Sequence, residues 1–274
     1  MNDLWLVPLG VVVGAFGTLV GAGGGFALVP VLLLVYPQKD AETITSMSLF
    51  VVCANAASGS IAYARQKRID YNSGLWFVLG TFPGAISGAI VVGYIPRRTF
   101  DAIFAVVLIS IGLFLVLRSS RTAISEPVTG RGVVRRRIRD AQGNTFVYAF
   151  NLWKGVAIST GIGFLSSLLG IGGGVIHVPV MATMLHFPVH IATATSQFVL
   201  MFMAGEGTAV HFISGALSWD RSLFQAMLLA LGAVPGAQIG AKLSHRLHGG
   251  AIMRALAAAL VLVGARLALK AIQG

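Results

Sequence analysis

Acidic side chains are scarce in this sequence: nine Asp and Glu among 274 residues, with charged residues of both signs only 11% of the whole. Soluble domains carry about 25%. With 56% hydrophobic residues and a mean hydropathy of +0.83, that shortage excludes an ordinary soluble globule and indicates a polytopic membrane protein. Cysteine is nearly absent too. Cys53 stands alone, which excludes an internal disulfide and a thiolate metal cluster. Only Asp3, and no Lys or Arg, precedes the first apolar stretch, so no cleaved signal peptide is expected.

Several signatures of chemistry are also missing. No G-x₄-G-K-[ST] occurs, so coupling to ATP is not expected. No G-x-S-x-G occurs, and no spacing pairs Ser with His, which argues against an intramembrane serine hydrolase. A dinucleotide fingerprint would need glycine where Phe26 and Val175 stand. The chain is therefore read as a non-enzyme without a cofactor. The net charge of +11 does not point to nucleic acid, because seven arginines are concentrated between Arg118 and Arg139, as in a cytoplasmic anchor.

What the sequence has in abundance is glycine, and its placement organises the chain. Gly21-Ala-Gly-Gly-Gly-Phe-Ala-Leu-Val-Pro30 matches Gly170-Ile-Gly-Gly-Gly-Val-Ile-His-Val-Pro179 as G-x-G-G-G-x₄-P. Each glycine costs a helix about 1 kcal/mol against Ala, so both stretches break the apolar elements that contain them. Such breaks are tolerated in a bilayer only where protein or a wet cavity covers the freed backbone. Breaks at matching points of two halves mark a transporter binding site.

The halves are an internal repeat. Pro30 and Pro179 lie 149 residues apart, Thr45-Ser-Met-Ser-Leu-Phe50 parallels Thr193-Ala-Thr-Ser-Gln-Phe198, and Pro83-Gly-Ala85 parallels Pro235-Gly-Ala237. The expected organisation is a first membrane repeat over 1–118, a basic cytoplasmic linker over 119–147 and a second repeat over 148–274. The fold class is an all-α polytopic membrane protein. Each repeat has one glycine-broken element (4–36 or 151–185) and three transmembrane helices. Within the linker, the β-rich runs around Gly143-Asn144 predict a short hairpin.

Two topologies compete. If each broken element crosses the bilayer, there are eight spans and both termini are cytoplasmic. If each is a V-shaped re-entrant, the halves are inverted and the termini lie outside. Either arrangement leaves fourteen basic residues inside, so charge does not choose. Length does: 4–36 as one helix would run about 50 Å against a core of about 30 Å, which favours the inverted form.

In the V-shaped form the second arm of each element begins inside the bilayer with unpaired N–H groups, a favourable place for an anion. Gly21, Gly23, Gly24, Gly25, Gly170, Gly172, Gly173 and Gly174 are therefore candidate binding residues. The plain alternative is that they only permit close helix packing. The following helices add hydroxyls and amides that can donate to an oxyanion without a fixed charge: Ser48, Asn55, Thr195, Ser196 and Gln197, with Thr45, Ser46 and Thr193 nearby. Glu206 is the one carboxylate well inside an apolar segment, and an intramembrane acid is a functional candidate. It is read as a proton-coupling group or as the partner of a histidine. His177, inside the second glycine element, is a second coupling candidate, and His211 a packing residue.

The paired glycine elements, the repeated Pro-Gly-Ala, the eight apolar segments and the linker's Arg139-Asp140…Gly143 resemble the TauE/SafE sulfite exporter family over about 5–270. The resemblance implies a secondary transporter in the cytoplasmic (inner) membrane, with sulfite, a sulfonate or a related small sulfur anion as cargo. The partners expected are that anion and the lipid bilayer, with a homodimer allowed. A different class, a membrane scaffold recruiting partners through the arginine-rich linker, stays open beside it.

Overall fold

In a membrane every backbone polar group must be satisfied within the chain, so long apolar runs become helices. The computed structural model describes residues 3–118, 132–244 and 246–273. The part of the basic linker between 119 and 131, and His245, lie outside the described residues. The helices are α1 (Leu6–Val20), α2 (Gly25–Val35), α3 (Ala41–Arg65), α4 (Tyr71–Val91) and α5 (Arg97–Arg118). After a hairpin, β1 (Val133–Arg139) and β2 (Thr145–Asn151), come α6 (Leu152–Leu169), α7 (Gly174–Thr183), α8 (Val189–Ile213), α9 (Arg221–Ser244) and α10 (Gly249–Gln273). Among the described residues, five helices are long and apolar enough to cross a membrane: those spanning Asp3–Val20, Ala41–Arg65, Tyr71–Tyr94, Leu152–Leu169 and Arg221–Ser244. Short polar side chains start the helices where the sequence provides them. Asp40 accepts from the Thr43 N–H at 2.7 Å, Asp70 from Ser73 at 3.1 Å and Asn151 from Lys154 at 3.1 Å.

The two halves pack across each other. α1 lies along α9, and a Cβ on Gly232, Gly236 or Gly240 would run into the carbonyls of Val7, Val11 or Ala15. α4 lies along α6 in the same way, with Gly84 and Gly88 against the carbonyls of Thr160 and Phe164. Glycine every fourth residue lets these backbones touch. The long helices α3 and α8 form a central antiparallel pair. Gly59 lies beside Gln197, the Cys53 thiol is 3.6 Å from the Met201 carbonyl, and Glu42 faces His211 at 3.7 Å.

Each broken element enters and leaves the bundle at one end. Asp3, before α1, pairs with Arg221 at the start of α9 at 3.1 Å. Lys39, after α2, donates to Ser222, and Arg97 donates to the Leu33 carbonyl at 3.0 Å. The start of α1 and the end of α2 thus share the end where α9 begins. In the second half Gly155, at the start of α6, packs on Leu185, just after α7. Phe187 packs there at a tilt against Tyr148 and Phe150 of β2, with ring centroids 4.5 and 4.7 Å apart. α3 runs from the first end to the second, and α8 runs back.

The hairpin caps the second end. Its strands pair from Val133 with Asn151 to Arg139 with Thr145, and Gly143 takes φ 88° in the turn. It is docked through buried charge. Arg68 reaches Asp140 at 3.0 Å, Tyr148 donates to Asp70 at 2.8 Å, and Arg136 lies 3.5 Å from Asp70. Burial works to raise the Asp140 carboxyl, but bonds from Asn144 and Arg68 outweigh it and hold its pKa below the ordinary value. Burial, and then the charge of Asp70, push the Tyr148 phenol up.

Candidate functional site

α1 unwinds into a left-handed glycine: the Gly21 N–H returns to the Thr18 carbonyl at 3.1 Å, and the Ala22 and Gly23 N–H groups both return to Gly17. Gly21, Gly23 and Gly24 have φ of 76°, 73° and 89°, conformations that other residues rarely adopt. Gly170 and Gly172 repeat this at 66° and 64°. Gly24 lies back beside Val13, so the chain has reversed within four residues of the helix end. The first bonds inside α2 run from Ala27 and Leu28 to Gly24, and those inside α7 from Ile176 and His177 to Gly173. Ahead of them the Gly174 N–H returns to the Gly172 carbonyl, whereas the N–H groups of Gly25, Phe26 and Val175 have no backbone acceptor among the described residues.

The two breaks touch. Gly25 lies against the carbonyl of Gly170 and the backbone of Ile171, and Gly174 lies against Gly21 and Ala22. Close packing is thus part of what these glycines do. Ser48 of α3 donates to the Gly170 carbonyl at 2.6 Å, and Ser196 of α8 donates to the Gly21 carbonyl at 3.1 Å. Each half therefore clamps the other's break. A serine hydroxyl has one proton to give, and in this conformation both are committed to backbone rather than to an oxyanion.

The structure also sorts the other candidates. Asn55 and Gln197 come together at the first break. The Asn55 amide donates to Thr18 at 3.0 Å and to the Gly23 carbonyl at 3.2 Å, and Gln197 donates to the Gly17 carbonyl at 3.4 Å. Tyr63 holds the Thr18 carbonyl at 2.8 Å. Thr195 is directed elsewhere, because its hydroxyl accepts the Asp70 N–H at 3.0 Å where the hairpin docks. Ser46 bonds within its own helix, to the Thr43 carbonyl. Thr45 and Thr193 flank Gly170 and Gly21, with buried hydroxyls that have no partner.

At the second break, Ser159 and the His177 Nε2 are 3.0 Å apart and buried. Glu206 is half-buried, with Oε2 lacking a hydrogen-bond partner. Among the described residues no ion pair joins it to a histidine, since His211 faces Glu42. Thr18, Ser166 and Ser167 were not singled out in the sequence. All three end the helices that lead into the breaks, and the 149-residue offset that aligns the glycines also aligns Thr18 with Ser167. A separate cavity of about 260 Å³ lies between α5 and α7, lined by Ile111, Phe114, Ile176, Pro179 and their neighbours. Its wall is apolar apart from Ser110.

The family model described as "Sulfite exporter TauE/SafE" matches residues 6–267. The "Probable membrane transporter protein YunE" of Bacillus subtilis is 32% identical over 97% of each chain. A probable membrane transporter protein of Methanocaldococcus jannaschii is 24% identical over 88% of this chain and 86% of its own. The Escherichia coli protein YfcA, of the same description, is 23% identical over 82% of this chain and 74% of its own. No solved structure matches the chain significantly.

Proposed function

The chain belongs to the TauE/SafE sulfite exporter family of membrane transporters, and from that premise we propose that it exports a small sulfur oxyanion, sulfite or an organosulfonate, bound in mid-membrane at the two glycine breaks. The carrying observation is the meeting of the breaks at Gly25 with Gly170 and Gly174 with Gly21, each at the start of a helix with N–H groups that have no backbone acceptor among the described residues, Gly25 and Phe26 in α2 and Val175 in α7. Helix dipoles and bare backbone bind an anion without placing a fixed cation in lipid.

Export by alternating access follows if the halves, 1–118 and 148–274, are inverted about the linker. Supporting that arrangement, the first broken element opens at the Asp3–Arg221 end and the second at the hairpin end, while α3 and α8 run antiparallel. The hairpin, with its arginines, then faces the cytoplasm, and the membrane is the inner one. A second reading, recruitment of an acidic partner, rests on Arg135, Arg137 and Arg139, exposed in a row on the outer face of β1.

Flux of labelled sulfite or of an alkanesulfonate through proteoliposomes tests the transporter. Gradient-driven movement in excess of empty vesicles is expected. Purified protein that moves neither anion under any imposed ion or pH gradient would sink the reading and leave recruitment.

A further inference from the structure

The offset that aligns the two breaks also exposes a difference between them. In the first, polar groups satisfy one another: Asn55 bridges Thr18 and the Gly23 carbonyl, and Gly17, with no side chain, lies directly on the backbone of Gly24. In the second, Ser167 takes the place of Thr18 and Ser166 that of Gly17, and the 148-residue offset that pairs Ser48 with Ser196 sets Met203 in the place of Asn55. Methionine has no proton to donate. Both serine hydroxyls are fully buried, at 0% exposure, and neither has a partner. Ser166 points at the start of α7, and Ser167, the next residue, at α8. The Ser166 oxygen lies 3.2 Å from where a Cβ on Gly173 would stand, and the Met203 sulfur lies 3.1 Å from the same point. The Ser167 oxygen lies 3.0 Å from the corresponding point on Gly207. Buried hydroxyls are ordinarily paired. Two adjacent orphans at the entry to a ten-residue helix, whose Val175 N–H has no backbone acceptor among the described residues, make a donor set without its acceptor.

Building on the transport reading above, we infer that the anion is held chiefly at the second break, with Ser166 and Ser167 as its side-chain donors and Met203 as the side chain that closes over it. An oxyanion accepts from both hydroxyls and from the Val175 N–H of α7. The thioether, flexible and uncharged, moves aside to admit it. The first break, where Asn55 already pairs the Thr18 hydroxyl and the Gly23 carbonyl, serves as the counterpart against which the second is held.

Calorimetric binding of sulfite to the detergent-purified full chain, with a thermal melt of each variant, tests this. The double variant S166A/S167A should weaken binding about tenfold or more without lowering the melting temperature, because hydrogen bonds to a charged ligand are lost while no internal bond is. Ser167→Thr, which keeps the hydroxyl as Thr18 does, should restore most of the affinity when set beside Ser167→Ala. Met203→Asn should also weaken binding, because its amide offers the serines the internal partner that Asn55 gives Thr18. Sulfite binding by the double variant at parental strength would overturn the assignment and leave transport standing. A parent that binds neither sulfite nor a sulfonate would remove the transport reading itself.

Discussion

Gly174 and Gly161 share a residue type and little else. A Cβ on Gly174 would meet the Gly21 carbonyl and come within 2.7 Å of the Ala22 Cα, backbone that has no rotamer by which to yield. One on Gly161 meets nothing within 4 Å. Gly174→Ala should therefore cost about 1–3 kcal/mol by overpacking and abolish flux. Gly161→Ala should be neutral or stabilise by up to about 1 kcal/mol through helix propensity. Thermal melts of the two purified variants check this, and equal melting temperatures would refute the touching of the breaks. Glu206 poses a different question at this scale, because the structure gives its Oε2 no partner. If it carries a coupled proton, Glu206→Gln should abolish pH-driven accumulation while leaving substrate exchange across proteoliposomes intact. Unchanged pH-driven uptake by that variant rules the role out.

At the scale of elements, the hairpin is joined to the bundle by few bonds, and they are strong ones. Arg68 and Asp140 are both buried, so removing one partner strands the other, at a cost of about 3–5 kcal/mol. Asp140→Ala should release β1 and β2 from the ends of α3 and α4, seen as faster amide exchange over 133–151 with the membrane helices still protected. Acid should do the same. The Asp140 carboxyl titrates below its ordinary value in the folded state, so its stabilisation is complete above the unfolded pKa of about 3.9 and is lost as pH falls through the lower folded one. Protection factors over 133–151, corrected for the pH dependence of intrinsic exchange, that stay constant from about pH 5 down to about pH 2 would contradict this. The hairpin was legible in the sequence, because alternating β-branched and aromatic residues around Gly143-Asn144 are a local signal. Its docking was not, because Asp70, Asp140 and Tyr148 meet only after α4 and α5 have brought the chain back.

For the whole molecule, orientation is the property with the sharpest test. In a Cys53→Ser background, single cysteines at both termini should react with an impermeant reagent from outside, and cysteines in the 65–70 loop only after lysis. Cytoplasmic termini would restore eight plain crossings and leave the antiparallel course of α3 and α8 without an explanation.

The sequence by itself determined the membrane class, the two glycine breaks and the matching stretches from which a repeat is read. Those depend on composition, on local backbone preference and on comparison of one stretch with another, none of which requires a fold. Tertiary structure alone decided which half each helix packs against, since the glycine rows of α4 and α9 fit any smooth helix and only assembly sets α9 on α1 and α4 on α6. It also decided what each polar group does. Ser48, Ser196, Ser166 and Ser167 are the same residue type beside the same motif, yet the first two reach a carbonyl across the interface and the last two reach none. A hydroxyl's role is set by the acceptor within about 3 Å of it, and that distance spans 122 residues of sequence for Ser48 and 175 for Ser196.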